Sequence, residues 1–187
     1  TIFVTSFHVL ISRNILCAPI LKLLVNEGWR VVLIVPKKKA SYFQETFGAP
    51  QVCVASVSNM LGRLDDFFKD IALAAIRTSS LRTMRRRRMG IERPAMQKIL
   101  FWAPLVRRLI PLLYRLLMPR NAFRTLFEQY NPSVVFATDI LSSNDCRLLH
   151  EARARGVRTL GMVRSWDNLT TKGGFRAIPD MLIVQNE

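Results

Sequence analysis

Apolar residues in this chain come in two spacings, short unbroken runs and longer stretches with a helical period. The unbroken runs fall at residues 2–5, 29–35, 52–57, 134–138, 159–163 and 181–184. Runs of that length, rich in Val, Ile and Phe and bounded by Gly, Pro or polar residues, predict strands buried on both faces, as in a parallel sheet covered by helices. Between them, residues 14–27 predict a helix stopped by Gly28, with Ile15, Leu16, Ile20, Leu23 and Leu24 as its buried stripe. Pro19 must then sit in a first turn or kink that helix. Residues 40–47 predict a second helix, so the chain opens as βαβαβ, the pattern of a doubly wound fold with right-handed crossovers.

The alternation stalls from about residue 59 to 131. Helices are expected at 65–76 and 122–130, residues 81–93 hold the run Arg85 to Arg88, and residues 95–118 form one long apolar stretch interrupted by Pro104, Pro111, Arg107, Arg108 and Arg115. At about 100° per residue those three arginines share one side of a helix, leaving a wide apolar face. Two prolines and three arginines make it an interfacial element rather than a spanning one. The alternation then resumes. Ser142 and Asp145 have capping-box spacing ahead of a helix that Gly156 ends, with Asp in place of the usual Glu. The fold class expected is α/β: one Rossmann-like, mainly parallel sheet over residues 1–187, with a basic helical insertion at 77–124. No internal repeat is visible.

Charge sharpens the picture of that insertion. The chain has 187 residues and a formal net charge of +15. Residues 77–124 hold 13 Arg or Lys against the single acid Glu92, so the charge is local. A basic segment rich in Leu, Ile and Phe suits an anionic membrane surface, with Arg85, Arg86, Arg87, Arg88, Arg107, Arg108 and Arg115 as the contacts. Nucleic acid is the weaker partner, because a stacking surface interleaves polar and aromatic residues. The blander alternative makes 95–118 ordinary core helices with a solvated arginine face. Cys17, Cys53 and Cys146 lie far apart without a CxxC pair and read as small core residues in a reducing compartment. No signal peptide is visible, and the ends at Thr1 and Glu187 suggest an excerpt from a longer chain.

Candidate chemistry gathers where strands end. His8 follows the first strand, Asp139 the fourth, and the fifth empties into Ser165-Trp-Asp-Asn-Leu-Thr-Thr-Lys-Gly-Gly174. In a parallel sheet these three places converge on one edge, where ligands of open α/β sheets bind. A neutral His beside a carboxylate can take the proton of an acceptor hydroxyl. His8 can equally be a polar residue tying its loop to the next helix, and Asp139 can equally support the helix that begins near Ser142. Trp166 and the Gly173-Gly174 pair suit a sugar ring, an aromatic plate beside closely approaching backbone. Asp167, Asn168 and Lys172 can bond hydroxyls or phosphate. His150, in a polar helical stretch, reads as solvated surface. Asn168-Leu-Thr170 matches the glycosylation sequon, without other signs of secretion. There is no G-x-G-x-x-G after the first strand and no P-loop, so no dinucleotide or P-loop nucleotide site is expected here.

The segments Thr5-Ser-Phe-His-Val-Leu-Ile-Ser-Arg-Asn-Ile-Leu16 and Ser165-Trp-Asp-Asn-Leu-Thr-Thr-Lys-Gly173 resemble the N-terminal half of GT-B-type glycosyltransferases. The likeness is nearest to the surface-carbohydrate and CDP-glycerol glycerophosphotransferase-like groups. As a pattern it covers nearly the whole chain, and those two segments carry its specificity. It implies an acceptor-binding domain in a metal-independent enzyme of two Rossmann-like domains. The nucleotide-activated donor would occupy a C-terminal domain not present here, so this segment alone would be inactive and without a cofactor. His8, Asp139 and Asp167 would do the chemistry, with Ser12, Arg13, Asn14, Ser165, Trp166, Asn168, Thr170, Lys172 and Gly173 holding a carbohydrate or lipid-linked acceptor. The place of work would be the cytoplasmic face of the membrane, in surface polysaccharide synthesis. UDP-sugar 2-epimerases share the architecture and stand as the alternative.

Overall fold

The computed structural model describes residues 1–8, 12–58, 61–76, 78, 79, 83, 102–165 and 168–184. Six strands form one sheet: β1 (Ile2–Thr5), β2 (Val31–Pro36), β3 (Val52–Val57), β4 (Val134–Ala137), β5 (Arg158–Met162) and β6 (Met181–Ile183). Every pairing is parallel, and the spatial order is β3-β2-β1-β4-β5-β6. The chain winds outward from β1 to one edge, crosses back, and winds outward again from β4. This is the doubly wound, Rossmann-like order, with its switch point between β1 and β4.

The expected runs match these strands to within two residues at either end, most plainly in the central strands, where both faces are buried. Phe3, Val32, Ile34 and Val135 point to one face, and Ile2, Val4, Val31, Leu33 and Val35 to the other. Helices α1 (Ile20–Asn26) and α2 (Ala40–Phe47) belong to the outward winding from β1, and Phe43 of α2 seats among the second set. The first set is covered by α3 (Arg63–Ala74), α4 (Ala103–Leu117), α5 (Arg124–Tyr130) and α6 (Ser143–Ala154), through Phe68, Tyr114, Phe127 and Leu148. A short α7 (Asn168–Thr171) follows β5. Helices α3, α4 and α5 all lie in the crossover from β3 to β4, where the insertion was expected. No helix of the described residues is long and apolar enough to cross a membrane.

Three local expectations are corrected. The helix expected at 14–27 is broken: a π-type turn at Ser12–Leu16 is followed by bends, and α1 starts only after Pro19, which occupies its N-cap. Proline lacks the N–H that a continuous helix would need there. Of the expected stripe Ile15 and Leu16 are buried, but Ile20 and Leu23 are exposed. Cys146 is buried as expected, whereas Cys53 is half-buried and Cys17 exposed. Gly161 in β5 has a packing reason, since a Cβ there would collide with Ile140 and Pro179.

One ion pair ties the crossover to the second half of the fold. Arg147 of α6 donates two bonds, of 2.9 and 2.8 Å, to the Asp65 carboxylate, which also accepts the Gly62 N–H at 2.8 Å. Asp65 is fully buried, so removal of the guanidinium strands a charge in the interior. Arg147→Leu should cost about 3–5 kcal/mol in urea unfolding, and Asp65→Asn combined with it should restore part of the loss. A cost below about 1 kcal/mol for the single variant would show that water reaches this pair freely.

Candidate functional site

The ladder between the two central strands runs from Ile2↔Val134 to Val4↔Phe136. Past it, threonine side chains take over from the backbone. The Thr138 N–H donates to Thr5 Oγ1 at 2.9 Å, the Thr138 hydroxyl donates to the Thr5 carbonyl at 2.8 Å, and the two hydroxyl oxygens stand 3.0 Å apart. The strands then part, β1 into Ser6-Phe7-His8 and β4 into Asp139. Between them lies a cavity of about 90 Å³ lined by Phe7, His8, Thr138, Asp139, Ser142 and Asp145. Sequence order kept His8 and Asp139 131 positions apart, and the switch point brings them to one crevice.

Two carboxyl groups share this crevice on different terms. Asp139 pairs with Arg164, which follows β5, at 3.1 Å, and the Leu141 N–H reaches its Oδ1 at 3.4 Å. Burial raises its pKa above the usual carboxylate range, against the pull of Arg164, that N–H, His8 and Arg176. Asp145 is buried deeper and accepts a short hydrogen bond from the Thr5 hydroxyl. Burial pushes its pKa up to about 7; the bonds from Thr5 and Ser142 oppose the rise and the Asp139 charge adds to it. Neighbouring carboxyls with different environments are how one site keeps a fixed charge beside a group that titrates near neutrality. Of the described residues that line the cavity, His8 is the exposed one.

Other candidates are placed less centrally. Ser165 is half-buried directly after Arg164, so the loop does start at this crevice. Further on it turns to α3: the Thr170 carbonyl accepts the Thr78 hydroxyl at 2.8 Å, and the Gly174 N–H donates to the Ala72 carbonyl at 3.2 Å. Gly173 has φ 123°, a backbone conformation in which any other residue would be strained. Asn14, Thr170 and Lys172 are exposed. Trp166, Asp167 and Arg85 to Arg88 lie outside the described residues, as do the side chains of Ser12, Arg13 and Asn168. Among the described residues, no group of three or more His, Cys, Asp or Glu could hold a metal ion.

Two residues differ from their expected roles. His150 is buried, not solvated, with Nε2 3.0 Å from the Met118 carbonyl; burial lowers its pKa. Asp145 is not a cap. Ser142 holds the N-cap position of α6 without a side-chain capping bond, and the Asp145 carboxyl turns inward to Thr5. Capping-box spacing in the sequence hid a residue of the crevice. Arg164 carries no sequence signal beyond its position directly after a buried strand.

The titration of Asp145 gives a test. A carboxyl whose folded pKa exceeds its unfolded value, near 4, holds its proton more tightly when folded. That stabilisation is complete below about pH 4 and is lost as pH rises through about 7. Asp145→Asn keeps the shape and does not titrate. The drop in urea-unfolding stability between about pH 5 and pH 8 should therefore be smaller in the variant than in the wild type. Equal drops would mean that Asp145 does not titrate in this window.

Compared with models of known protein families and with curated proteins, the sequence matches none. The crevice and the surface of α4 are what support a functional reading.

Proposed function

We propose that this chain is the acceptor-binding half of a GT-B-type glycosyltransferase, or of a glycerophosphotransferase-like enzyme, acting on a lipid-linked or cell-surface carbohydrate. The observation that carries the reading is the meeting of His8, Asp139 and the start of the Ser165 loop at the switch-point crevice. In this reading His8 accepts the proton of the acceptor hydroxyl as that oxygen attacks the activated group. Asp139, held by Arg164, stabilises the imidazolium that results. The donor binds on a second domain.

The surface of α4 supports a membrane location. Its buried stripe is narrow: Ile110, Tyr114 and Met118, four residues apart. Leu105, Leu109, Leu112, Leu113, Leu116 and Leu117 are 39% to 65% exposed, and Trp102 joins them at the helix start. At about 100° per residue these seven span an arc of about 140°, flanked on one side by Arg108 and Arg115. Each Leu removed from water is worth up to roughly 1.5–3 kcal/mol, and each basic residue near an anionic surface about 1 kcal/mol. Apolar insertion thus outweighs charge in this helix. A nucleic-acid surface has no use for an exposed leucine arc, which favours the membrane over that alternative.

Two measurements follow. The chain should bind a short-chain prenyl-linked disaccharide and not a nucleotide sugar, and His8→Ala and Asp139→Asn should each weaken that binding with the fold intact. In a protein that includes the donor domain, His8→Ala should lower turnover about 10²- to 10⁴-fold. Binding of the nucleotide sugar alone would favour the epimerase-like alternative. Separately, the chain should cosediment with vesicles containing anionic lipid, more weakly at high salt. Leu116→Glu with Leu117→Glu should abolish this, while substituting Gln for Arg107, Arg108 and Arg115 should only reduce it. Preference for oligonucleotides over vesicles in competition would defeat the membrane assignment.

A further inference from the structure

A second and larger cavity, of about 420 Å³, lies between α4, α6 and the segment that leads into β6. Its volume is within the range of small-molecule sites. Five of its lining residues are basic: Arg115 and Arg120 from the end of α4 and the turn after it, His150 and Arg153 from α6, and Arg176. Among the described residues, none of the lining side chains is acidic. Pro111, Leu112, Ala177 and Ile178 supply an apolar wall.

Among the described residues three of the four arginines have partners, but none of these is a buried carboxylate. Arg153 donates to the Ile178 carbonyl and stands 3.8 Å from Asp180, in a pair exposed to solvent and therefore weak. Arg120 donates to the Arg115 carbonyl at 3.1 Å. Arg176 is only 3% exposed, and its bonds go to neutral acceptors, the Ser143 hydroxyl at 2.7 Å and the Leu141 carbonyl. A guanidinium has five N–H donors, and a buried one usually faces a carboxylate or another anion.

The second observation is independent of charge. Tyr114 lines the same cavity, is 99% buried, and its hydroxyl has no hydrogen-bond partner among the described residues. A buried hydroxyl without a partner forfeits about 1–3 kcal/mol, so native structures rarely keep one without a use. Burial holds the phenol far above its ordinary pKa, which makes it a hydrogen-bond donor and not an anion. A donor without a partner among the described residues, beside a cluster of arginines, calls for an anionic acceptor.

We propose that this cavity binds the phosphate group of an organic phosphate ester, with Tyr114, Arg115, Arg120 and Arg176 as its donors. Arginine forks suit a phosphate, which offers paired oxygens to them. The cavity is larger than a phosphate needs, and its apolar wall takes the esterified group. The ester's source is either a soluble phosphometabolite or a lipid headgroup, the phosphate chemistry being common to both. The assignment does not rest on the transferase reading, because its residues are distinct from those lining the switch-point crevice.

The test is calorimetric titration of the chain at fixed ionic strength with glycerol 3-phosphate and with dihexanoyl phosphatidic acid below its micellar concentration. At least one should bind, the lipid more tightly if the source is a headgroup and the two equally if it is soluble. Tyr114→Phe should weaken binding roughly 5- to 50-fold while leaving thermal stability without ligand unchanged or higher, since it removes only an unpartnered hydroxyl. Arg115→Gln with Arg120→Gln, both at exposed positions, should weaken it further. His8→Ala should leave it intact. Binding of neither ester would overturn the proposal, as would unchanged affinity in both groove variants. Loss in His8→Ala with the groove variants unaffected would assign the anion to the crevice and overturn it equally.

Discussion

The seam between β1 and β4 is the constraint on which the rest of this structure depends. A doubly wound sheet changes direction there, and the two strands that meet are the only neighbours separated by more than 100 residues of chain. Their backbone pairing is short. Thr5 and Thr138 extend it with side-chain bonds at the point where the strands begin to part, and Asp145 reaches from α6 to the same Thr5 hydroxyl. One hydroxyl therefore joins both central strands to the helix that follows β4. The crevice above it keeps its shape because its floor is hydrogen-bonded, and His8 and Asp139 stand on that floor at its rim.

Buried charge is handled by the same economy of shared partners. Asp65 joins α3 to α6 through Arg147. Glu151, fully buried on α6, accepts the Phe123 N–H at 2.7 Å from the start of α5 and Arg155 at 2.8 Å. Asp139 and Arg164 join the loops after β4 and β5. Each buried carboxylate thus links two elements that the hydrophobic layer already packs together, and each fixes a register that apolar contact alone would leave loose. Asp145 differs, since its burial is relieved by a proton rather than by a cation.

Much of the fold was legible because double-sided burial leaves a plain mark. A strand covered on both faces has no polar alternate positions, and β1 and β2 read as continuous runs for that reason. The convergence of His8 and Asp139 was legible too, since it follows from parallel topology alone. The misreadings have equally physical causes. Ile20 and Leu23 have the spacing of a buried stripe, but apolar spacing does not say which apolar face meets the sheet. His150 sits among polar residues in sequence, yet the turn after α4 folds over it and offers the Met118 carbonyl. Asp145 satisfied a local rule, helix capping, and a tertiary partner 140 positions away overrode it.

Helix α4 shows how one element can serve three surfaces. Its wheel divides into a buried arc through Tyr114, an exposed leucine arc, and an arginine flank. Pro111 lies inside this helix, where it removes one backbone hydrogen bond. It also lines the 420 Å³ cavity, one turn before Arg115. Arg115 belongs to both the flank and the cavity wall, so the two surfaces are continuous. A membrane that takes up the leucine arc would set the arginine flank at the depth of the lipid phosphates. The cavity mouth at Arg115 would then open in the headgroup plane, with Tyr114 behind it. Lipid-surface binding and phosphate binding would in that arrangement be two contacts of one orientation, the apolar arc fixing depth and the cavity selecting the headgroup.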